Sequence, residues 1–85
     1  MRHARAEDLD RVDGLVASLR AISGLTEKRR GSFYRGSRAL LHFHEDAGDI
    51  ICDVRLEGPD FDRVTVTSRA AQRKLVKDVR DRMKT

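Results

Sequence analysis

The segment His42-Phe43-His44-Glu45-Asp46 sets two imidazoles two residues apart. In an extended strand, side chains at that spacing leave the same face, roughly 6.5 to 7 Å apart at the backbone. Imidazoles so placed can reach one metal ion, or serve as acid and base toward one ligand. Further on, DIICDVRL brings Asp53 and Arg55 at the same two-residue period. If a tight turn at Ala47-Gly48 pairs Asp46 with Asp49, His42 faces Asp53, which supplies a third ligand or an orienting carboxylate. A four-residue turn instead sets His44 against Asp49 and His42 against Ile51, leaving Asp53 diagonal. Either register keeps both imidazoles and the carboxylate on one face. Glu45, Asp46 and Asp49 add oxygen donors nearby, as hairpin tips ordinarily do. The plainer account is two solvated or hydrogen-bonded histidines on an exposed sheet, because a His-x-His pair is not by itself a motif.

A second group is the run Arg69, Arg73, Lys77, Arg80 and Lys84, spaced three or four residues apart. On a helix these residues make one basic stripe, suited to meeting phosphates of a nucleic-acid backbone. Its plainer account is the solvated outer face of an amphipathic helix, diluted by Asp78 and Asp81. RRGSFYRG, residues 29–36, interleaves arginines with Phe33 and Tyr34, but Ser32 stands where an RNA-recognition motif wants an aromatic residue, and the βαββαβ order is missing. Neither GxxxxGK[ST] nor GxGxxG occurs, so no phosphate loop is expected. No activated serine or cysteine nucleophile is evident, and Cys52, the single cysteine, can neither form an internal disulfide nor join a CxxC pair.

These residues must be positioned by a small domain. The chain has 85 residues, read as one domain over 1–85, and a chain this size buries only about 60 to 65% of its unfolded surface. Hydrophobic residues make up 39% and charged residues 38%, which lies on the folded side of the disorder boundary. Lys plus Arg is 18 against 14 Asp plus Glu, a formal charge of +4 that attracts polyanions without naming one. No apolar stretch approaches the roughly 20 residues of a membrane span, and MRHARAEDLD lacks the apolar region of a signal peptide. The expectation is a cytoplasmic protein with no membrane partner.

From Glu7 to Ser23, Leu9, Val12, Leu15, Val16, Leu19 and Ile22 fall on one helical stripe, with Gly24 as the stop. Strands are predicted near Ser32 to Arg35, Arg38 to His44, Asp49 to Leu56 and Phe61 to Thr67, separated by turns at Gly36-Ser37, residues 45–48 and residues 57–60. Ser68 then caps a helix whose stripe is Ala71, Leu75, Val76, Val79 and Met83. The predicted fold is α+β, a four-stranded antiparallel meander in the order α-β-β-β-β-α with both helices on one face. Alternation sends Leu41, Phe43, Cys52 and Val54 toward the helices. The open face receives His42, His44, Asp53, Arg55, and Arg63 and Thr65 from the fourth strand. Leu40 and Ile51 also fall there, an apolar pair that a second copy of the chain would cover, through that face or an edge strand.

Residues 21–56, through Ala21 to Glu27 and the Phe33 to Asp46 stretch, resemble small bacterial proteins of largely unknown function. They are similar to the so-called luciferase-domain family and to the MmcQ/YjbR-like proteins. Ser23 replaces the proline usual in their LPG(V)TE-like turn, and the chain is too short for the C-terminal strands of the longer members. The resemblance implies an α+β domain and a role for the His42 and His44 strand, and it carries over no catalytic residue.

The leading expectation is a binding module for a small ligand or a protein, using the open face around His42, His44, Asp53 and Arg55. Its rivals are a nucleic-acid-associated protein using the last helix, and a metal-dependent or acid/base enzyme at the His-x-His strand, with zinc as the ion such a site would take.

Overall fold

The computed structural model describes residues 1–84. Along the chain lie β1 (Arg2–His3), α1 (Ala6–Arg11), α2 (Asp13–Arg20), β2 (Thr26–Arg29), β3 (Ser32–Arg35), β4 (Arg38–Asp46), β5 (Asp49–Val54), β6 (Asp62–Thr65) and α3 (Arg69–Met83). The class is α+β with an antiparallel sheet, as expected, but among the described residues the sheet has six strands rather than four and the helices number three rather than two. The extra strands carry little alternation to read. β2 is the polar run TEKR on the sheet edge, and β1 is only two residues long.

The sheet runs β2-β3-β4-β5-β6, with β1 pairing to β4 off that path. A strand has two edges, and β5 occupies one edge of β4 from Leu41 to Asp46. On the other edge β3 takes Arg38 to Leu41 and β1 takes His44 and Glu45, so β1 and β3 lie end to end. The short β1 is held by more than its ladder. The Arg2 guanidinium donates to the buried Asp8 carboxylate at 2.6 Å, and Ala4 donates its N–H to the Phe43 carbonyl at 3.1 Å.

The expected single N-terminal helix is broken at Val12, whose backbone leaves helical geometry (φ −120°, ψ 28°) and whose N–H bonds the carbonyl three residues back, at Leu9. The apolar period survives the break: Leu9, Val12, Leu15, Val16, Leu19 and Ile22 are all buried. The second piece stops at Arg20, ahead of Gly24. Ser68 caps α3 as predicted, its Oγ accepting the Ala71 N–H at 3.2 Å. Leu75 and Val79 from α3 join Leu41, Phe43, Cys52 and Val54 in one core, so the helices cover the predicted face. Burial pushes the Cys52 thiol well above its ordinary range, as befits a small hydrophobe rather than a nucleophile.

Two details shape the open face. Ala47 and Gly48 both take positive φ, 50° and 90°, closing β4 to β5 with the tight two-residue turn. Between Phe33↔Leu41 and Tyr34↔Ala39 the β3–β4 register slips by one residue at Leu40. Such a bulge interrupts strict alternation, and Leu40 joins the core at 3% exposure instead of lying on the open face. Ile51 is also buried, at 8%, opposite His44 and Thr65. The exposed apolar pair expected to seat a partner chain is therefore not there.

Candidate functional site

The tight turn decides the register: Asp46 pairs Asp49, Phe43 pairs Cys52, and His42 stands directly opposite Asp53. Three strands then build one cluster. β4 contributes His42 and His44, β5 contributes Asp53, and β6 contributes Arg63, the cross-strand partner of Asp53. Both imidazoles aim Nε2 at the same carboxylate oxygen, Asp53 Oδ2, from 3.5 Å for His42 and 3.0 Å for His44. The ligand atoms of the three side chains all lie within 4.8 Å of one another. Among the described residues this is the one such grouping of histidine, cysteine and carboxylate side chains.

The geometry suits a metal ion. Zinc bonds to imidazole nitrogen and carboxylate oxygen at about 2.0 to 2.2 Å, so neighbouring tetrahedral ligands stand about 3.3 Å apart; the two Nε2 to Oδ2 separations bracket that value, while the trio as a whole spreads over up to 4.8 Å and would draw in around an ion.

Two rings and a guanidinium frame the cluster. β1 lays the exposed His3 ring over His44 at 4.7 Å between centroids, and Phe61, just before β6, meets His42 edge-on at 5.0 Å. Burial, then the neighbouring His44, push the His42 imidazole below its ordinary value, against the pull of Asp53. A neutral imidazole is the ligand form. Arg63 grips Asp53 as a fork, Nε to Oδ1 at 2.9 Å and Nη2 to Oδ2 at 3.2 Å, and this bonding, before all else, holds the carboxyl below the usual carboxylate range. The Arg63 side chain is 57% exposed, so it can leave Oδ2 without unpacking the core.

Of the residues singled out from sequence, His42, His44 and Asp53 converge, and Arg55 borders them across Phe61, its charge among those that lower the His42 imidazole. Arg55 lies beyond the end of β5, stacks its guanidinium over Phe61 at 4.1 Å and donates to the Ala39 carbonyl. The basic residues of α3 lie on the helical side, away from this cluster. His3 is the participant that sequence reasoning missed, for a two-residue N-terminal strand has no periodicity. Arg63 was legible as an open-face residue by alternation, but its grip on Asp53 depends on the β5–β6 register.

The chain matches no protein-family model, no curated protein and no solved structure. Among the described residues no helix is long and apolar enough to cross a membrane.

Proposed function

We propose that the protein is a small binding module whose open sheet face takes a divalent transition-metal ion, with zinc the reference, through His42 Nε2, His44 Nε2 and Asp53 Oδ2. The observation that carries this reading is the convergence of two imidazole nitrogens on one carboxylate oxygen. Three protein ligands leave a fourth tetrahedral position for water or a small ligand. His3 covers the buried edge of the site, where it shields His44 and adds no ligand to the trio. The open position is also where a metal-dependent enzyme would hold water, and a cavity of about 580 Å³ borders His42 and His3; no substrate chemistry is assigned to it, and the reading rests on ion binding alone.

Calorimetric titration with zinc, run in two buffers of different ionisation heat, tests the reading. The expected outcome is one ion bound at micromolar concentration with proton release, lost on His42→Ala and on His44→Ala and unchanged by Arg73→Ala on the opposite side. Absence of zinc binding, or binding that survives loss of both histidines, overturns it.

A further inference from the structure

The helical side carries a second surface that has nothing to do with the imidazole cluster. Between α2 and α3 runs an open groove of about 770 Å³. Its walls carry five cationic side chains: Arg11, from the end of α1, and Arg69, Arg73, Lys77 and Arg80 from α3. Among the described residues no aspartate or glutamate lines it, in a chain that otherwise interleaves charges of both signs.

The five cations are not equivalent. Lys77 is occupied by Asp81 at 2.8 Å, and Arg11 donates to the Gly48 carbonyl at 2.8 Å. Arg69, Arg73 and Arg80 are exposed and have no ion-pair or hydrogen-bond partner among the described residues. Lys84, the last residue of the predicted stripe, does not line the groove and lies 3.9 Å from Asp81. The stripe read from sequence thus reduces to three available guanidiniums on one wall. The facing wall is made low by Gly14 and Ser18; a Cβ added at Gly14 would meet nothing within 4 Å.

We infer that this groove binds the phosphate backbone of double-stranded nucleic acid. Arg69 to Arg80 spans about 16 Å along the helix axis, long enough for its guanidiniums to meet several phosphates of one strand. Guanidiniums suit phosphate oxygens because their donors form a fixed planar fork. Among the described residues no aromatic side chain lines the groove, so it lacks the stacking platform by which single strands are held. The contacts are therefore to phosphates, without base readout and without preference for sequence.

Fluorescence anisotropy of a short labelled DNA duplex, measured across a salt series on the full chain, tests the inference. Three to five phosphate contacts predict a slope of about −2.7 to −4.5 in log K against log salt. Replacing Arg69, Arg73 and Arg80 together by Gln should flatten the slope by about 2.7. Replacing Arg5, Lys28 and Arg29, exposed cations away from the groove, by Gln should leave most of it. Gly14→Glu, which sets a carboxylate in the groove without touching the core, should weaken binding at low salt while the circular dichroism and thermal midpoint hold. The inference fails if the duplex is not bound at low salt, or if the two triple variants flatten the slope equally, which would mean diffuse charge alone. It also fails if a polyglutamate peptide binds the groove more tightly than the duplex, which would make the surface an acidic-protein interface. Zinc titration of the same variants separates this outcome from the fate of the open-face site.

Discussion

Arg63 offers the sharpest discrimination between a metal site and a hydrogen-bonded decoration of the sheet. In the present arrangement its fork occupies both Asp53 oxygens, with Nη2 3.2 Å from the same Oδ2 that the imidazoles approach. A zinc ion bound there would lie at most about 5 Å from the guanidinium, the sum of a metal–oxygen bond of about 2.1 Å and that contact. At this distance, in the water-like dielectric of so exposed a side chain, repulsion between a divalent ion and a guanidinium corresponds to roughly a tenfold loss of affinity. Arg63→Gln removes the repulsion and returns the Asp53 carboxyl toward its ordinary basicity, both of which favour the ion. Zinc should therefore bind Arg63→Gln about tenfold more tightly than the parent chain, whereas Arg63→Lys, which keeps the charge, should stay near the parent value. Competition of each variant against a chromophoric zinc chelator, at fixed ionic strength and neutral pH, reads the ratio directly. If Arg63→Gln binds zinc no better than the parent, Arg63 is not competing with a metal, and the open-face reading loses its electrostatic basis.

Two further predictions concern the frame that holds the site. Gly31 sits at φ +80°, and a Cβ there would stand 2.8 Å from Leu9 Cδ2; Gly31→Ala should cost about 1 to 3 kcal/mol, read as a lower urea midpoint with an unchanged slope. Asp8 accepts the Arg5 N–H at 2.8 Å and then the Arg2 guanidinium, and these bonds hold its carboxyl below the usual range. Because the folded-state pKa is depressed, its contribution is complete above the unfolded value of about 3.9 and disappears as pH falls through the lower folded value. Asp8→Asn should therefore be less stable than the parent at neutral pH, with the gap closing only below about pH 3.9; a gap that persists at the acid limit would show that the carboxylate charge is not its source.

Much of the scaffold was legible because burial imposes periods that a sequence displays. The Leu9 to Ile22 stripe survives a break in its helix, since what the core requires is the apolar face and not an unbroken hydrogen-bond ladder. Alternation along residues 38–46 and 49–54 set Leu41, Phe43, Cys52 and Val54 inward and His42, His44 and Asp53 outward, and the structure keeps that division. It failed at Leu40 because a bulge is a property of two strands in register, invisible in either one alone. β2 escaped notice because an edge strand open to solvent has no buried face to mark it.

The candidate site divides along the same line. Its residue types, and the face they share, follow from the sequence through the two-residue period of a strand. Which atoms meet was decided by tertiary structure. The tight Ala47-Gly48 turn, rather than the wider one the sequence equally allowed, placed His42 opposite Asp53. Pairing of β1 with the far half of β4 brought His3 from the N-terminus onto His44, and the β5–β6 register delivered Arg63 to the carboxylate. Local sequence specifies side-chain direction because sterics act between neighbours in the chain; convergence of side chains from separate strands depends on pairing energies that only the assembled sheet contains.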